Sequence, residues 1–156
     1  MTTKAAFTPE EWTLVLGGPV SAGMMVITAA RGGMIRETLA VSKAYVEARR
    51  LHGQDELLDE IVASKPETDH AKYHSRDELR THGLQHLRDA MTVLRGKATP
   101  DEVDGYRRFV LTVADKVAAA HREHGQSVSP AEAEAIEEIT AALAGQDSGA
   151  ATPTES

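Results

Sequence analysis

The chain has 156 residues, with 17 basic side chains against 24 acidic ones, a formal charge of −7, and no cysteine. That length suits one domain able to bury roughly 70% of its unfolded surface without a disulfide or a metal to hold it. The missing cysteine excludes thiol nucleophiles, thiolate zinc sites and cysteine-ligated clusters, and the acidic balance disfavours nucleic acid and anionic membrane as partners.

The opening stretch MTTKAAFTPEEW has no charged segment followed by an apolar run, so a secretory leader is not expected and the chain reads as cytoplasmic. Helix starts are marked four times by Ser or Thr followed three positions later by Glu: Thr8 to Glu11, Ser75 to Glu78, Thr99 to Glu102 and Ser129 to Glu132. In this capping-box spacing the hydroxyl accepts from the third helical amide while the carboxylate reaches back to the amide of the capping residue itself. Three of the four also place proline at the first helical position, where its missing N–H is not needed. Stops are read at Gly17-Gly18, Gly32-Gly33, Gly53, Gly96, Gly125 and Gly145.

Between these marks the sequence predicts seven helices, near residues 8–16, 19–31, 34–52, 54–64, 75–95, 100–124 and 130–144, and no strand. The fold class is therefore all-α, a single compact bundle over residues 1–145 with a disordered tail over 146–156. The second helix, PVSAGMMVITAAR, is apolar on nearly all sides and belongs at the buried centre, with Gly23 letting neighbours approach closely. It is too short to span a membrane, which takes about 20 apolar residues. The segment 64–73 reads as the longest internal loop because Pro66 blocks helix continuation. In the sixth helix Val103, Tyr106, Val110, Val113, Ala114, Val117 and His121 form an apolar stripe; in the seventh, Ala133, Ala135, Ile136, Ile139, Ala142 and Leu143 do the same, with Glu134, Glu137 and Glu138 toward water.

Chemistry-bearing patterns are few. GGPVSAGMM has the glycine spacing of a phosphate loop at Gly18 and Gly23, but Met24 and Met25 stand where Lys and Ser/Thr would serve phosphate and magnesium. There is no G-x-S-x-G, and the pairs Glu10-Glu11, Asp101-Glu102 and Glu137-Glu138 fall at helix starts or on solvated faces. Aromatics for stacking on bases are scarce, which again disfavours nucleic acid.

Four of the seven histidines lie in HAKYHSRDELRTHGLQH, residues 70–86. On a helix starting after Ser75, Glu78, His82 and His86 form one ridge spaced by four, a geometry able to hold a divalent ion, with His86 at the border of the apolar stripe. His121 and His124 close the sixth helix and would approach Ser75 if the fifth and sixth helices packed as an antiparallel pair. The segment 70–98 carries six basic residues against three acidic ones, so it is +3 in an otherwise acidic chain. Its Arg76, Arg80 and Arg88 are the candidate partner-binding residues.

Two stretches, VITAARGGMIRETLAV and AAAHREHGQSVSPAEAEAI, run from an Ala-rich helix end through Gly to a hydrophobic residue and a new helix with Glu in its first turn. This pattern resembles the tellurite-resistance TerB-like family of all-helical bacterial domains, whose junctions read approximately A-x-x-D-G-x-[IV]-x-x-x-E. Where that pattern has Asp before Gly, this chain has Arg31 in the first copy and His124 in the second. The resemblance implies a stress-linked scaffold and carries over only Glu37 and Glu132 as metal-associated carboxylates.

The expectation is a non-enzymatic helical bundle acting through association with a protein partner or with itself, with no cofactor. Its alternatives are a metal-binding or metal-stress protein using His82, His86, His121, His124, Glu78, Glu37 and Glu132, and a small-molecule enzyme with a pocket between helices.

Overall fold

The computed structural model of the protein describes residues 4–29, 34–50, 56–63, 76–122 and 130–144. Among them, a 3-10 turn at Lys4–Ala6 precedes six α-helices: α1 Pro9–Ala29, α2 Met34–Arg50, α3 Glu56–Ala63, α4 Arg76–Lys97, α5 Pro100–Arg122 and α6 Pro130–Leu143. No strand occurs among the described residues, as the sequence pattern predicts. No described helix is long and apolar enough to cross a membrane. The internal loop 64–73, the tail 146–156 and the glycine stops at 32–33, 53, 125 and 145 lie outside the described residues.

The helix count differs from the expected seven. Segments 8–16 and 19–31 are one continuous helix, α1, which runs through Gly17, Gly18 and Pro19 without stopping. Gly96 likewise lies inside α4 rather than after it. At Gly17 and Gly18 side chains of neighbouring helices pack against the backbone, a contribution that local propensity does not contain, whereas Gly96 faces open space one residue before the end of α4, a difference of boundary only.

The predicted starts are in place. In α1 the Thr8 amide donates to Glu11 Oε1 at 2.9 Å and the Glu11 amide to Thr8 Oγ1 at 3.1 Å. In α5 the Thr99 amide donates to Glu102 Oε1 at 3.0 Å and the Glu102 amide to Thr99 Oγ1 at 3.2 Å. Pro9, Pro100 and Pro130 are the first residues of their helices. Ser75 and Ser129, the other two capping serines, lie outside the described residues. Phe7, just before the Thr8 cap, packs on Trp12 with ring centroids 5.6 Å apart. This hydrophobic staple fixes the angle at which the chain enters α1.

α1 is the central helix, packed against α2, α4, α5 and α6. Its buried residues Val20, Ala22, Met24, Met25, Val26 and Ile27 bear out the apolar segment expected at the centre. A Cβ on Gly23 would stand 2.8 Å from Val41 Cγ2 of α2 and 3.2 Å from Val113 Cγ1 of α5. α4 packs equally closely, since a Cβ on Gly83 would stand 2.8 Å from Met25 Sδ. Although only Ala98 and Thr99 join α4 to α5, each packs chiefly on α1 and not on the other.

The α5 stripe is buried as expected from Val103 through Val117. In α6 the buried set is Glu132, Ala135, Ile139, Ala142 and Leu143, whereas Ala133 is exposed. The expected stripe was thus turned by a few tens of degrees, because position 132 sits three residues before Ala135 and seven before Ile139.

Candidate functional site

Among the described residues, two side chains from neighbouring helices reach the backbone of α1 beside GGP, Gly17 to Pro19. A proline inside a helix removes one amide donor, here the one that would serve the Val15 carbonyl four residues earlier. That carbonyl accepts a hydrogen bond from the Tyr106 hydroxyl of α5 at 2.8 Å, fully inside the protein. The adjoining Leu14 carbonyl accepts from His86 Nε2 of α4 at 3.0 Å. The imidazole must therefore carry a proton on Nε2, since a carbonyl can only accept.

These two side chains explain both glycines. A Cβ on Gly17 would lie 2.6 Å from His86 Cε1 and 2.7 Å from His86 Nε2, and one on Gly18 would overlap the Tyr106 hydroxyl. The glycines open the flank of α1 so that a ring from each neighbouring helix reaches its backbone. Phosphate-loop geometry does not arise, because the whole stretch is helical. Burial, with a lesser contribution from nearby Tyr45, pushes the Tyr106 phenol well above its ordinary range, so it stays a donor at neutral pH. Tyr45 is raised by the same burial, against a small opposing effect of Arg49, and packs edge-on to Phe109 at 5.1 Å.

Among the described residues the candidate metal ligands are dispersed. His82 is exposed on α4, Glu78 is half-buried one turn before it, and His86 turns toward α1 with Nε2 committed to Leu14. Glu132 is fully enclosed in α6. Glu37 lies in α2 and His121 in the last turn of α5, with side chains outside the described set, and His124 is outside it entirely. No group of three or more His, Asp or Glu able to hold a metal ion is found among the described residues.

The basic α4 meets acids and carbonyls of its own fold. The Arg80 guanidinium bonds to Glu138 and lies 3.4 Å from Glu134 Oε1, both on α6. Arg95 donates to the Leu143 carbonyl at the end of α6 at 3.0 Å. Lys97 donates to the Ala6 carbonyl at 3.0 Å and to Glu11 Oε1 at 2.5 Å, 5.8 Å from the centre of the Phe7 ring. Arg88 is half-buried, and the Arg76 side chain is not among those described. Elsewhere Arg49 Nε donates to the Val62 carbonyl at the end of α3 at 2.6 Å, and Lys116 of α5 bonds to Glu47 of α2 at 2.8 Å. The lysine ammonium beside each one holds Glu11 and Glu47 below the ordinary Glu value of 4.5.

The sequence patterns place His86 and Tyr106 at or near apolar stripes but do not link either to GGP. Residues 86 and 106 lie 72 and 91 positions from the carbonyls they reach. The available signal was Pro19 itself, which obliges some donor to serve Val15 if the helix continues. Comparison with protein-family models, curated proteins and solved structures finds no match to this chain.

Proposed function

We propose that this chain is a non-enzymatic helical-bundle protein that acts through protein association, with a stress-linked scaffold role as the narrower form suggested by the TerB-like junctions. The observation that carries the reading is how the described reactive-type side chains are used. His86 and Tyr106 are bonded to the α1 backbone, while Arg49, Arg95 and Lys97 donate to carbonyls at the ends of other segments. Groups that would serve acid–base or anion chemistry hold helices together instead. What such a protein offers a partner is the outward side of its helices, and on α4 the exposed Arg80 lies on that side, with Arg76 and Arg88 as the other basic residues proposed for the contact.

The test is affinity capture with the full chain and with an Arg76→Ala/Arg80→Ala/Arg88→Ala variant whose helix content is confirmed by circular dichroism. A partner bound by the first and lost from the second, then reproduced with purified proteins, supports the reading. Identical partner sets remove the basic ridge as the contact surface. Light scattering across a concentration series tests self-association in the same preparations. Stoichiometric zinc, iron, nickel or manganese in protein purified without a histidine tag would replace association by metal binding.

A further inference from the structure

We infer that the acidic edge of α6 is a built-in competitor for the basic ridge of α4, so that an acidic helical segment of a partner reaches Arg80 only by displacing Glu134 and Glu138. The inference rests on the association reading and adds its regulation and the chemistry of the partner. α6 contains Glu132, Glu134, Glu137 and Glu138 and no basic residue. Glu134 and Glu138 are spaced by four, so their carboxylates lie one turn apart on one side of the helix, and Arg80 stands between them. This intrachain contact sets the chemistry of the ligand inferred for Arg80: two carboxylates one turn apart on a helix.

The contact is built to exchange. Arg80 and Glu134 are 48% and 64% exposed, so water and salt ions reach that pair and weaken it, while Glu138, at 19% exposed, is the more sheltered of the two acids. α6 is anchored by other groups, the buried Ala135, Ile139, Ala142 and Leu143 and the bond from Arg95 to the Leu143 carbonyl. The acidic edge can therefore let go of Arg80 while α6 stays in place. Because α6 belongs to the same chain, its carboxylates compete at the high effective concentration of a tethered ligand.

The probe is a fluorescein-labelled synthetic peptide with the sequence of residues 130–144, followed by fluorescence anisotropy against the full chain. The comparison is between wild type, Glu134→Gln/Glu138→Gln, and the same double variant with Arg80→Ala added. Glutamine keeps the helix propensity and size of glutamate, and circular dichroism checks that each protein is folded. We expect the double variant to bind the peptide about two- to tenfold more tightly than wild type, the range that one or two exposed ion pairs command. That gain should vanish when Arg80 is removed and shrink at high salt. Equal affinity of wild type and double variant, a gain that survives Arg80→Ala, or no binding to either protein overturns the inference. Association itself is decided separately by the capture experiment, so the two readings fail independently.

Discussion

The Tyr106 hydroxyl donates to the carbonyl of Val15, the oxygen that Pro19 deprives of its helical donor. A proline in a helix interior costs about 3 kcal/mol, part of it through that lost bond. Tyr106→Phe should leave the buried carbonyl without this donor and destabilise the protein by about 1–3 kcal/mol in urea unfolding. In a Pro19→Ala background the restored amide can serve Val15, so the same Tyr106→Phe change should cost less. Strictly additive effects would show that the two residues are not linked through the carbonyl.

Gly18→Ala inverts an ordinary rule. Alanine in a helix interior is normally better than glycine by about 1 kcal/mol. Here the new methyl would overlap the Tyr106 hydroxyl, so the variant should lose about 1–3 kcal/mol, as overpacked cores do. Removing the hydroxyl in a Gly18→Ala/Tyr106→Phe pair should recover part of the loss, read as a partial return of the melting temperature.

Two histidines four residues apart on α4 should behave differently. His86→Ala removes the donor to Leu14 and leaves a gap beside Gly17, a loss of about 1–2 kcal/mol. His82→Ala, on the exposed side, should stay within about 0.5 kcal/mol of wild type. Nitrogen-15 NMR of the imidazoles should find His86 protonated on Nε2. Equal stability losses, or an Nε2 without its proton, would contradict the contact to α1.

Acid should weaken two inter-helix ties. Glu11 and Glu47 are held below 4.5, by Lys97 and Lys116 respectively, so each binds its proton less readily in the folded chain than in the unfolded one. The unfolded state takes up protons first as pH falls, and the contribution is present above about pH 4.5 and lost as pH drops through the lower folded values. Lys97→Met and Lys116→Met should each flatten the decline of the urea midpoint between neutral pH and about pH 3. Both glutamates are solvated, so the difference should narrow further at high salt.

The legibility of the chain depended on how local the controlling interactions are. Thr8 with Glu11 and Thr99 with Glu102 span three residues, and both of these boxes read from spacing are present. The α5 stripe from Val103 to Val117 follows from the helical period for the same reason. In α6 the period was readable, but a glutamate at position 132 was placed at the helix start and not in the buried stripe. Capping and burial both claim that position, and only packing reveals the second. Within the ridge of Glu78, His82 and His86, the border position of His86 lets its ring turn toward Leu14 of α1 while His82 stays exposed, a division that spacing alone does not reveal.

By itself the sequence determined the all-α class, where most helices begin, and which segment lies at the centre, because propensity, capping and hydrophobic period act within a few residues. Whether GGP ended a helix or stayed within one was decided only by tertiary structure. Local rules predict a break there, since Gly and Pro disfavour helix and no local donor replaces the lost amide. The tyrosine of α5 and the histidine of α4 supply donors from 91 and 72 residues away, and the glycines give them room. The same long-range packing set Arg80 of α4 against the acidic edge of α6, a pairing that charge composition allows but only the arrangement around α1 brings within bonding distance.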